Sequence, residues 1–243
     1  AVLEKKPLAL NETGPTITLT ADDEDYYREY LAKDGSVTAV TAGGTLSEYQ
    51  ALQTLLLPSS NNMAKTLVRW AFGSQDAYTA YANTMVQKLG MQNTRITDAS
   101  GFAPETVSTP SDLVKLGTAA LGNPVIAQIV SQATADVPLA GTLNSTNYLL
   151  GQNGINGIKT GTTNEAGGCF LVSATQEYSG GEKVTVVAAV MGAPSRTDAM
   201  NQSKPLLTQV KSGFGDVVAV AKGQQFGTLT SRSEERRVGK ECL

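Results

Sequence analysis

The sequence predicts an α/β protein of the α+β type, in which helices pack on an antiparallel sheet and a run of helices forms a subdomain. Two observations lead to this fold class. Apolar residues with helical spacing, separated by capping signals, recur through residues 45–121, whereas residues 167–193 hold two strand-like runs around a glycine-containing turn. At 243 residues, the chain is long enough for one domain with such a subdomain.

The first part of the chain is predicted to be extended around one short helix. The segments "PTITLTADD", from Pro15, and "GSVTAVTAGG", from Gly35, alternate as strands do. Between them, the acidic and tyrosine-rich residues 22–30 predict a short helix. Thr45 and Glu48 have the spacing of a capping box before "YQALQTLLL", so the helical region is expected to begin there.

Chain breakers and caps divide the helical region. Pro58 ends its first helix, and either serine of the pair at 59 and 60 can cap the next one, "NMAKTLVRWAF". Ser74 begins a third helix, which is expected to end at Gly90. Thr109, followed by proline, opens a fourth helix with "SDLVKLGTAAL".

A hairpin and a closing helix follow. "GGCFLVSATQ" and "KVTVVAAVMGA" flank the turn "EYSGGE", which indicates antiparallel pairing, and Ser195 with Asp198 caps a helix through "LLTQVKSGF". Beyond it, "VAVAKGQQFGTLTS" is similar to the start of a β domain, whereas the charge-dense "RSEERRVGKEC" is similar to a translated sequencing adapter. We therefore divide the chain into a main domain (1–217), the start of a C-terminal β domain (218–231) and an artefactual tail (232–243).

Composition narrows the function. Apolar residues at 41% and charged residues at 17% are ordinary for a globular protein. The net charge of −3, without a basic block, argues against a nucleic-acid partner. No apolar run approaches the length of a membrane span. Cys169 and Cys242 form neither a disulfide framework nor a metal site, so neither a metal nor another cofactor is expected.

The chain contains no histidine. This excludes Ser-His-Asp and Cys-His catalysis as well as histidine-based zinc sites. A nucleophilic enzyme with this composition must take its base from Lys, Asp, Glu or Tyr. For acyl transfer, lysine-assisted serine chemistry is the interpretation that remains.

Two short motifs fit that chemistry. Ser59 and Asn61 form S-x-N at a junction between predicted helices, and "GIKTGTTNEAGG" places K-T-G, from Lys159, at a strand edge. This order is typical of serine enzymes that use S-x-x-K as nucleophile and base. Ser60 and Asn62 share the S-x-N spacing, but the apolar residues before and after favour the register of Ser59 and Asn61.

Each motif alone also has a purely structural explanation. Serines after a proline are most often helix caps, and Lys159 alone would more often be a solvated charge at a strand end. Glu165 suits a turn or a local ion pair better than the role of a hydrolytic base. Only the joint occurrence of the motifs favours function.

The ordered motifs, the connector "SGF…ST..DL" and the "T..EAG" after K-T-G resemble the D-alanyl-D-alanine carboxypeptidases, the low-molecular-mass penicillin-binding proteins. The likeness runs from residue 1 to about residue 231. It implies a fold like those of penicillin-binding proteins and β-lactamases. It also implies a serine enzyme outside the cytoplasmic membrane that removes the terminal D-Ala of peptidoglycan stem peptides through an acyl-enzyme, binds β-lactam antibiotics, and could be attached to the membrane by segments not encoded here.

Chemistry and resemblance together assign roles. Lys159 and Thr160 can hold the C-terminal carboxylate of a substrate by charge-assisted hydrogen bonds, and Gly161 leaves room for the substrate backbone. The resemblance implies that Thr162 supplies an oxyanion donor through its backbone N–H. Ser59 can pass a proton to the leaving D-Ala amine, and the amide of Asn61 can orient the substrate.

The S-x-x-K motif itself is absent, because no lysine follows a serine by three residues. The nearest match, Thr208 before Lys211, comes after K-T-G. In the family, S-x-x-K opens a helix whose later turns resemble "AVLEKK" here. The nucleophile, its lysine and the first strands of the sheet are therefore expected to precede Ala1, and the sequence as given is expected to be inactive.

Two alternatives remain open at this point. A serine β-lactamase on the same fold is one, although E-x-x-L-N, the motif that carries the deacylating carboxylate of class A enzymes, does not occur. A non-catalytic peptidoglycan-binding homologue is the other. An in-frame S-x-x-K in the upstream nucleotide sequence would distinguish the enzyme from this homologue.

Overall fold

The chain order of helices and strands brings a helical region against a three-stranded antiparallel sheet. The computed structural model describes residues 1–177, 181–213, 227–230 and 235–238. The helices are α1 (Val2–Lys5), α2 (Ala21–Ala32), α3 (Glu48–Leu56), α4 (Asn61–Phe72), α5 (Gln75–Lys88), α6 (Pro110–Leu121), α7 (Pro124–Val130) and α8 (Arg196–Gly213). The strands are β1 (Thr16–Thr18), β2 (Thr45–Ser47), β3 (Thr134–Val137), β4 (Gly141–Asn144), β5 (Ile155–Thr163), β6 (Gly167–Glu177), β7 (Lys183–Ala193), β8 (Gly227–Thr230) and β9 (Glu235–Val238).

The main sheet has the order β5-β6-β7 and carries helices on both faces. On one face, Phe170 and Val172 of β6 pack with Met200 of α8, and all three side chains are almost fully buried. Burial of each such side chain contributes roughly 1.5–3 kcal/mol. On the other face, α6 approaches so closely that a Cβ at Gly117 would lie 3.0 Å from the Val187 side chain. The two helical layers fix the position of β5, the strand at one edge.

The predicted hairpin and closing helix are confirmed. Strands β6 and β7 pair antiparallel from Gly168 to Glu177, and residues 178–180 of the turn lie outside the described residues. The Ser195 hydroxyl accepts a hydrogen bond from the Asp198 backbone N–H at 3.1 Å, so α8 begins with the predicted cap.

A buried ion pair holds α2 on α4. The Asp23 carboxylate is fully buried and accepts hydrogen bonds from Arg69 Nη2 at 2.6 Å and Thr66 Oγ1 at 2.8 Å. Loss of Arg69 would leave the buried Asp23 carboxylate without its cation, which typically costs about 3–5 kcal/mol. This pair, with the core around Met63 and Leu67, makes the helical region a rigid wall opposite the sheet.

The predicted capping box was wrong. Thr45 lies in β2, where it pairs with Thr18, so the helix cannot begin there. Ser47 is the N-cap instead, and its hydroxyl accepts from the Gln50 N–H at 3.2 Å while the Gln50 side chain accepts from the Ser47 N–H at 2.9 Å. As a result, Glu48 becomes the first helical residue and is fully buried.

The predicted strand at "GSVTAVTAGG" was also wrong, because residues 35–41 have no regular structure. The side chain of Asn62 makes the two backbone hydrogen bonds that a neighbouring strand would otherwise make. The Thr38 N–H donates to Asn62 Oδ1 at 3.1 Å, and Asn62 Nδ2 donates to the Thr38 carbonyl at 2.9 Å. Periodicity cannot reveal such a substitute, since the partner is an amide 24 residues away.

Two elements of the fold were not predicted, and the C-terminal part of the chain is described only in part. Helix α7 and the β3–β4 hairpin were not predicted from the sequence. The proposed β domain and tail fall largely outside the described residues. Of their described parts, β8 and β9 pair with each other, and the proposed division of the chain stays a prediction. Within the described part, no single helix is long and apolar enough to span a membrane, although the bent pair α6–α7 meets these criteria when both helices are taken together.

Candidate active site

Lys159 brings the two motifs together. Its Nζ donates hydrogen bonds to Ser59 Oγ at 2.6 Å and to the Thr160 carbonyl at 3.1 Å. The side chain thus spans from the edge strand β5 to the loop between α3 and α4, joining residues 100 positions apart in sequence. The contact creates a site at the boundary between the sheet and the helical region.

The environment of Lys159 makes its ammonium easier to deprotonate. Burial, and to a smaller extent the positive charge of Arg196, together lower the pKa of Lys159 from its ordinary value to about 8. Arg196 is the first residue of α8. Arg196 was not predicted as a site residue, because its only local signal is its position beside the Ser195 cap, and this does not indicate that it lies near K-T-G.

The Ser59 backbone adopts an uncommon conformation, with a φ of +68°. For a residue with a side chain, this left-handed conformation costs on the order of 1 kcal/mol and persists only where neighbours enforce it. On one side, the Leu57 carbonyl accepts from the Thr146 N–H at 3.0 Å; on the other, Ser60 is fully buried and its hydroxyl is hydrogen-bonded to the Thr38 hydroxyl. The loop is therefore fixed with Ser59 Oγ directed at Lys159.

The geometry favours the register of Ser59 and Asn61 over that of Ser60 and Asn62. Ser60 and Asn62 are fully buried and bind Thr38, which makes them structural. Asn61 is partly exposed, and its side chain makes no hydrogen bond within the described residues. Its amide is available to a ligand.

Thr160 is less exposed to solvent than its predicted role in substrate binding suggests. The residue is 5% exposed, and its hydroxyl is hydrogen-bonded to the Thr146 hydroxyl at 2.7 Å. A hydroxyl offers one donor and two acceptor positions, so one hydrogen bond does not exhaust Thr160. Thr146 also bonds the Leu57 carbonyl, so it links the Ser59 loop to β5. Sequence patterns gave no sign of Thr146.

Gly161 and Thr162 continue the open edge of β5. A Cβ on Gly161 would meet only Cys169 Cβ, at 4.0 Å, and the φ of Gly161 is one that any residue can adopt. Neither packing nor backbone conformation therefore requires glycine at position 161. The reason for glycine is the open space that it leaves beside the strand. Thr162 is exposed, and its hydroxyl donates to the Gly161 carbonyl at 2.7 Å.

A groove of about 840 Å³ extends from this edge. One wall consists of α2, α4 and the loop from Asp98 to Pro104, and the other consists of residues 162–165 after K-T-G. Asp98 shapes the loop, because its carboxylate accepts from the Phe102 N–H at 2.9 Å and from Thr106 Oγ1 at 2.6 Å. In the ranges that the structure describes, no group of three acidic or cysteine side chains could hold a metal ion.

Comparison with known sequences points to one family. Residues 11–195 match the model of the family described as D-alanyl-D-alanine carboxypeptidase. The chain is 33% identical over 192 residues to the D-alanyl-D-alanine carboxypeptidase DacB2 of Mycobacterium tuberculosis, an alignment that covers 76% of this chain and 62% of that relative. It is 28% identical over 204 residues to DacA of Escherichia coli, covering 81% and 48%. The chain thus spans about half to three-fifths of the length of these relatives.

Solved structures agree with the predicted fold. A variant of a Streptomyces DD-transpeptidase is similar with a TM-score of 0.74 and 26% identity, over 85% of this chain and 82% of that one. A penicillin-binding protein homologue of Mycobacterium tuberculosis is similar with a TM-score of 0.74 and 27% identity, over 89% and 81%. The fold class predicted from the sequence is therefore confirmed.

Proposed function

Because this chain belongs to the D-alanyl-D-alanine carboxypeptidase family, we propose that it forms the substrate-binding half of a serine-type enzyme that removes the terminal D-Ala from peptidoglycan stem peptides. The observation that carries the proposal is the hydrogen bond from Lys159 to Ser59 beside the open edge at Gly161. It supplies a cation, a hydroxyl and free space together, as a peptide with a free C-terminal carboxylate requires. Such substrates lie outside the cytoplasmic membrane, and so would the enzyme.

Lys159 and Arg196 supply the charge for the carboxylate. With a pKa of about 8, most Lys159 side chains carry a proton at pH 7. The two cations repel each other as long as no anion is bound between them. A bound carboxylate would neutralise this repulsion and gain charge-assisted hydrogen bonds. The same features would bind the carboxylate of a β-lactam antibiotic.

Ser59 and Lys159 can also move a proton. When the peptide C–N bond breaks, the leaving D-Ala nitrogen must gain a proton. The Ser59 hydroxyl can donate its proton to this nitrogen while the Lys159 ammonium replaces it, over the 2.6 Å that separates Lys159 Nζ from Ser59 Oγ. A pKa near 8 suits this transfer, because the proton is then held only loosely at working pH.

Acylation is expected to fail in the sequence as given, because these residues contain no S-x-x-K pair to act as nucleophile and base. Incubation with benzylpenicillin should leave the intact mass unchanged. A penicilloyl adduct on Ser59 would contradict this assignment, since it would make Ser59 the nucleophile.

Replacement of Gly161 by alanine tests the open strand edge. The variant should fold with an unchanged melting temperature, because the new methyl group would meet only Cys169 Cβ, at 4.0 Å, which is an ordinary van der Waals contact. Affinity for diacetyl-Lys-D-Ala-D-Ala should fall about tenfold or more, corresponding to about 1.4 kcal/mol or more. Unchanged affinity, measured by NMR titration, would show that the ligand does not approach this edge.

A further inference from the structure

Thr146 approaches the carboxylate site from the segment that joins β4 to β5, and it belongs to neither the S-x-N motif nor K-T-G. Its backbone N–H donates to the carbonyl of Leu57, two residues before Ser59, at 3.0 Å. Its hydroxyl lies 2.7 Å from the Thr160 hydroxyl on β5. This residue therefore contacts both the loop that carries Ser59 and the edge strand of the sheet.

The chain neighbours of Thr146 hold its backbone in place. On one side, the Ser145 N–H donates to the Ala133 carbonyl at 2.8 Å. On the other side, Asn147 is buried, and its Nδ2 donates to the Gly157 carbonyl at 3.2 Å. Because a threonine side chain is also stiff about χ1, the main freedom left to the Thr146 hydroxyl is rotation of its proton.

The hydroxyls of Thr146 and Thr160 share one hydrogen bond, which leaves one of their two protons free. Each hydroxyl has one proton and two acceptor positions, and neither has a second partner in the part of the chain that the structure describes. If Thr160 donates to Thr146, Thr160 presents only lone pairs to the site, and these repel an anion. If Thr146 donates to Thr160, the proton of Thr160 is free to bind an anion.

A carboxylate bound by Lys159 and Thr160 selects the second arrangement, and this step rests on the proposed function. We propose that Thr146 is a positioning residue for substrate binding: its hydroxyl donates to Thr160 Oγ1 and so directs the Thr160 proton at the substrate carboxylate. A hydroxyl that accepts a hydrogen bond is also a better donor, so the pair binds an anion more strongly than Thr160 would alone. Thr160 is only 5% exposed, which leaves water little access to replace Thr146 as its donor.

Replacement of Thr146 by valine tests the proposal, because valine has nearly the same shape and keeps the backbone N–H but lacks the hydroxyl. In an NMR titration of the whole chain with diacetyl-Lys-D-Ala-D-Ala, we expect affinity to fall about fivefold, which is typical for the loss of one neutral hydrogen bond. Thr146→Ser keeps the hydroxyl and should bind as tightly as the unaltered chain. Thr142→Val is the matched control and should also bind normally, since the Thr142 hydroxyl donates to Asp136 and not to a residue of the site.

A double-mutant cycle distinguishes orientation of Thr160 from general support of the fold. Thr160→Val removes the hydroxyl that Thr146 orients, so Thr146→Val should cause no further loss of affinity in that background. The pH at which affinity declines should stay near 8 in Thr146→Val, because Lys159 keeps its surroundings. A residue that only supported the Ser59 loop would shift this pH, since it would move Ser59 relative to Lys159, and would reduce affinity equally in both backgrounds.

The outcomes separate the two proposals. If the unaltered chain does not bind the peptide, the proposed function fails, and the role of Thr146 fails with it. Unchanged affinity of folded Thr146→Val, an equal loss with and without the Thr160 hydroxyl, or a shifted pH of decline would overturn the role of Thr146 and leave the proposed function intact. If melting temperatures show that Thr146→Val is unfolded, Thr146→Ser and Thr146→Ala replace it, since both lack the methyl group and only the serine variant should retain affinity. Equal affinity of these two variants would overturn the role of Thr146.

Discussion

Replacement of Lys159 by methionine is expected to weaken binding of a D-Ala-D-Ala peptide by about a hundredfold. Methionine preserves much of the length and apolar volume of the side chain but removes the ammonium that contacts Ser59 and would meet the substrate carboxylate. Loss of a desolvated charge pair typically costs about 2–5 kcal/mol, which a hundredfold change lies within. Isothermal titration at pH 7 measures this effect.

The same experiment has an internal check in its pH dependence. Because the pKa of Lys159 is lowered to about 8, the affinity of the unaltered chain for the carboxylate should decline as pH rises through 8. Lys159→Met should show no such decline. Lys183→Met changes an exposed lysine at the start of β7 and should retain both affinity and pH dependence. A Lys159→Met variant that binds as tightly as the unaltered chain would remove Lys159 from the site.

Stability is expected to fall by up to about 3 kcal/mol as pH rises from about 4.5 to about 7, and the cause is Glu48. Both carboxylate oxygens of Glu48 are buried without a hydrogen-bond partner among the described residues. Burial raises the pKa of Glu48 to about 7, although Lys6 acts in the opposite direction. The folded state therefore retains a proton that the unfolded state releases, so stability is greatest at low pH within this window.

Glu48→Gln tests this pH effect by urea denaturation at pH 5 and pH 8. The neutral amide should remove most of the decline in unfolding free energy between these pH values and should make the variant more stable than the unaltered chain at pH 8. Glu105→Gln, which replaces an exposed carboxyl, is the matched control. If Glu48→Gln retains the full decline, another group is responsible.

Local signals predicted those elements whose boundaries are set by local chemistry. The β6–β7 hairpin follows a turn between two apolar runs, and the Ser195 and Thr109 caps each bind the N–H three residues ahead. Both are interactions between near neighbours, which a sequence displays directly. The motifs S-x-N and K-T-G also showed which residues meet, because a family resemblance carries tertiary information that spacing alone does not.

The errors arise where distant residues override a local pattern. Pairing of Thr45 with β1 moved the start of α3 to Glu48 and thereby buried a carboxyl group. The side chain of Asn62 replaced a neighbouring strand for residue 38. Arg196 and Thr146 reach the site only because α8 and the segment after β4 fold against the edge of the sheet, and neither has a motif of its own.

The most direct test of the central claim compares diacetyl-Lys-D-Ala-D-Ala with its C-terminal amide in an NMR titration of this chain at pH 7. We expect the free acid to bind at least about tenfold more tightly, equivalent to about 1.4 kcal/mol, and to shift the backbone resonances of Lys159, Gly161 and Thr162. Equal binding of acid and amide, or shifts confined to residues far from β5, would contradict the assignment of this edge as a carboxylate-binding site.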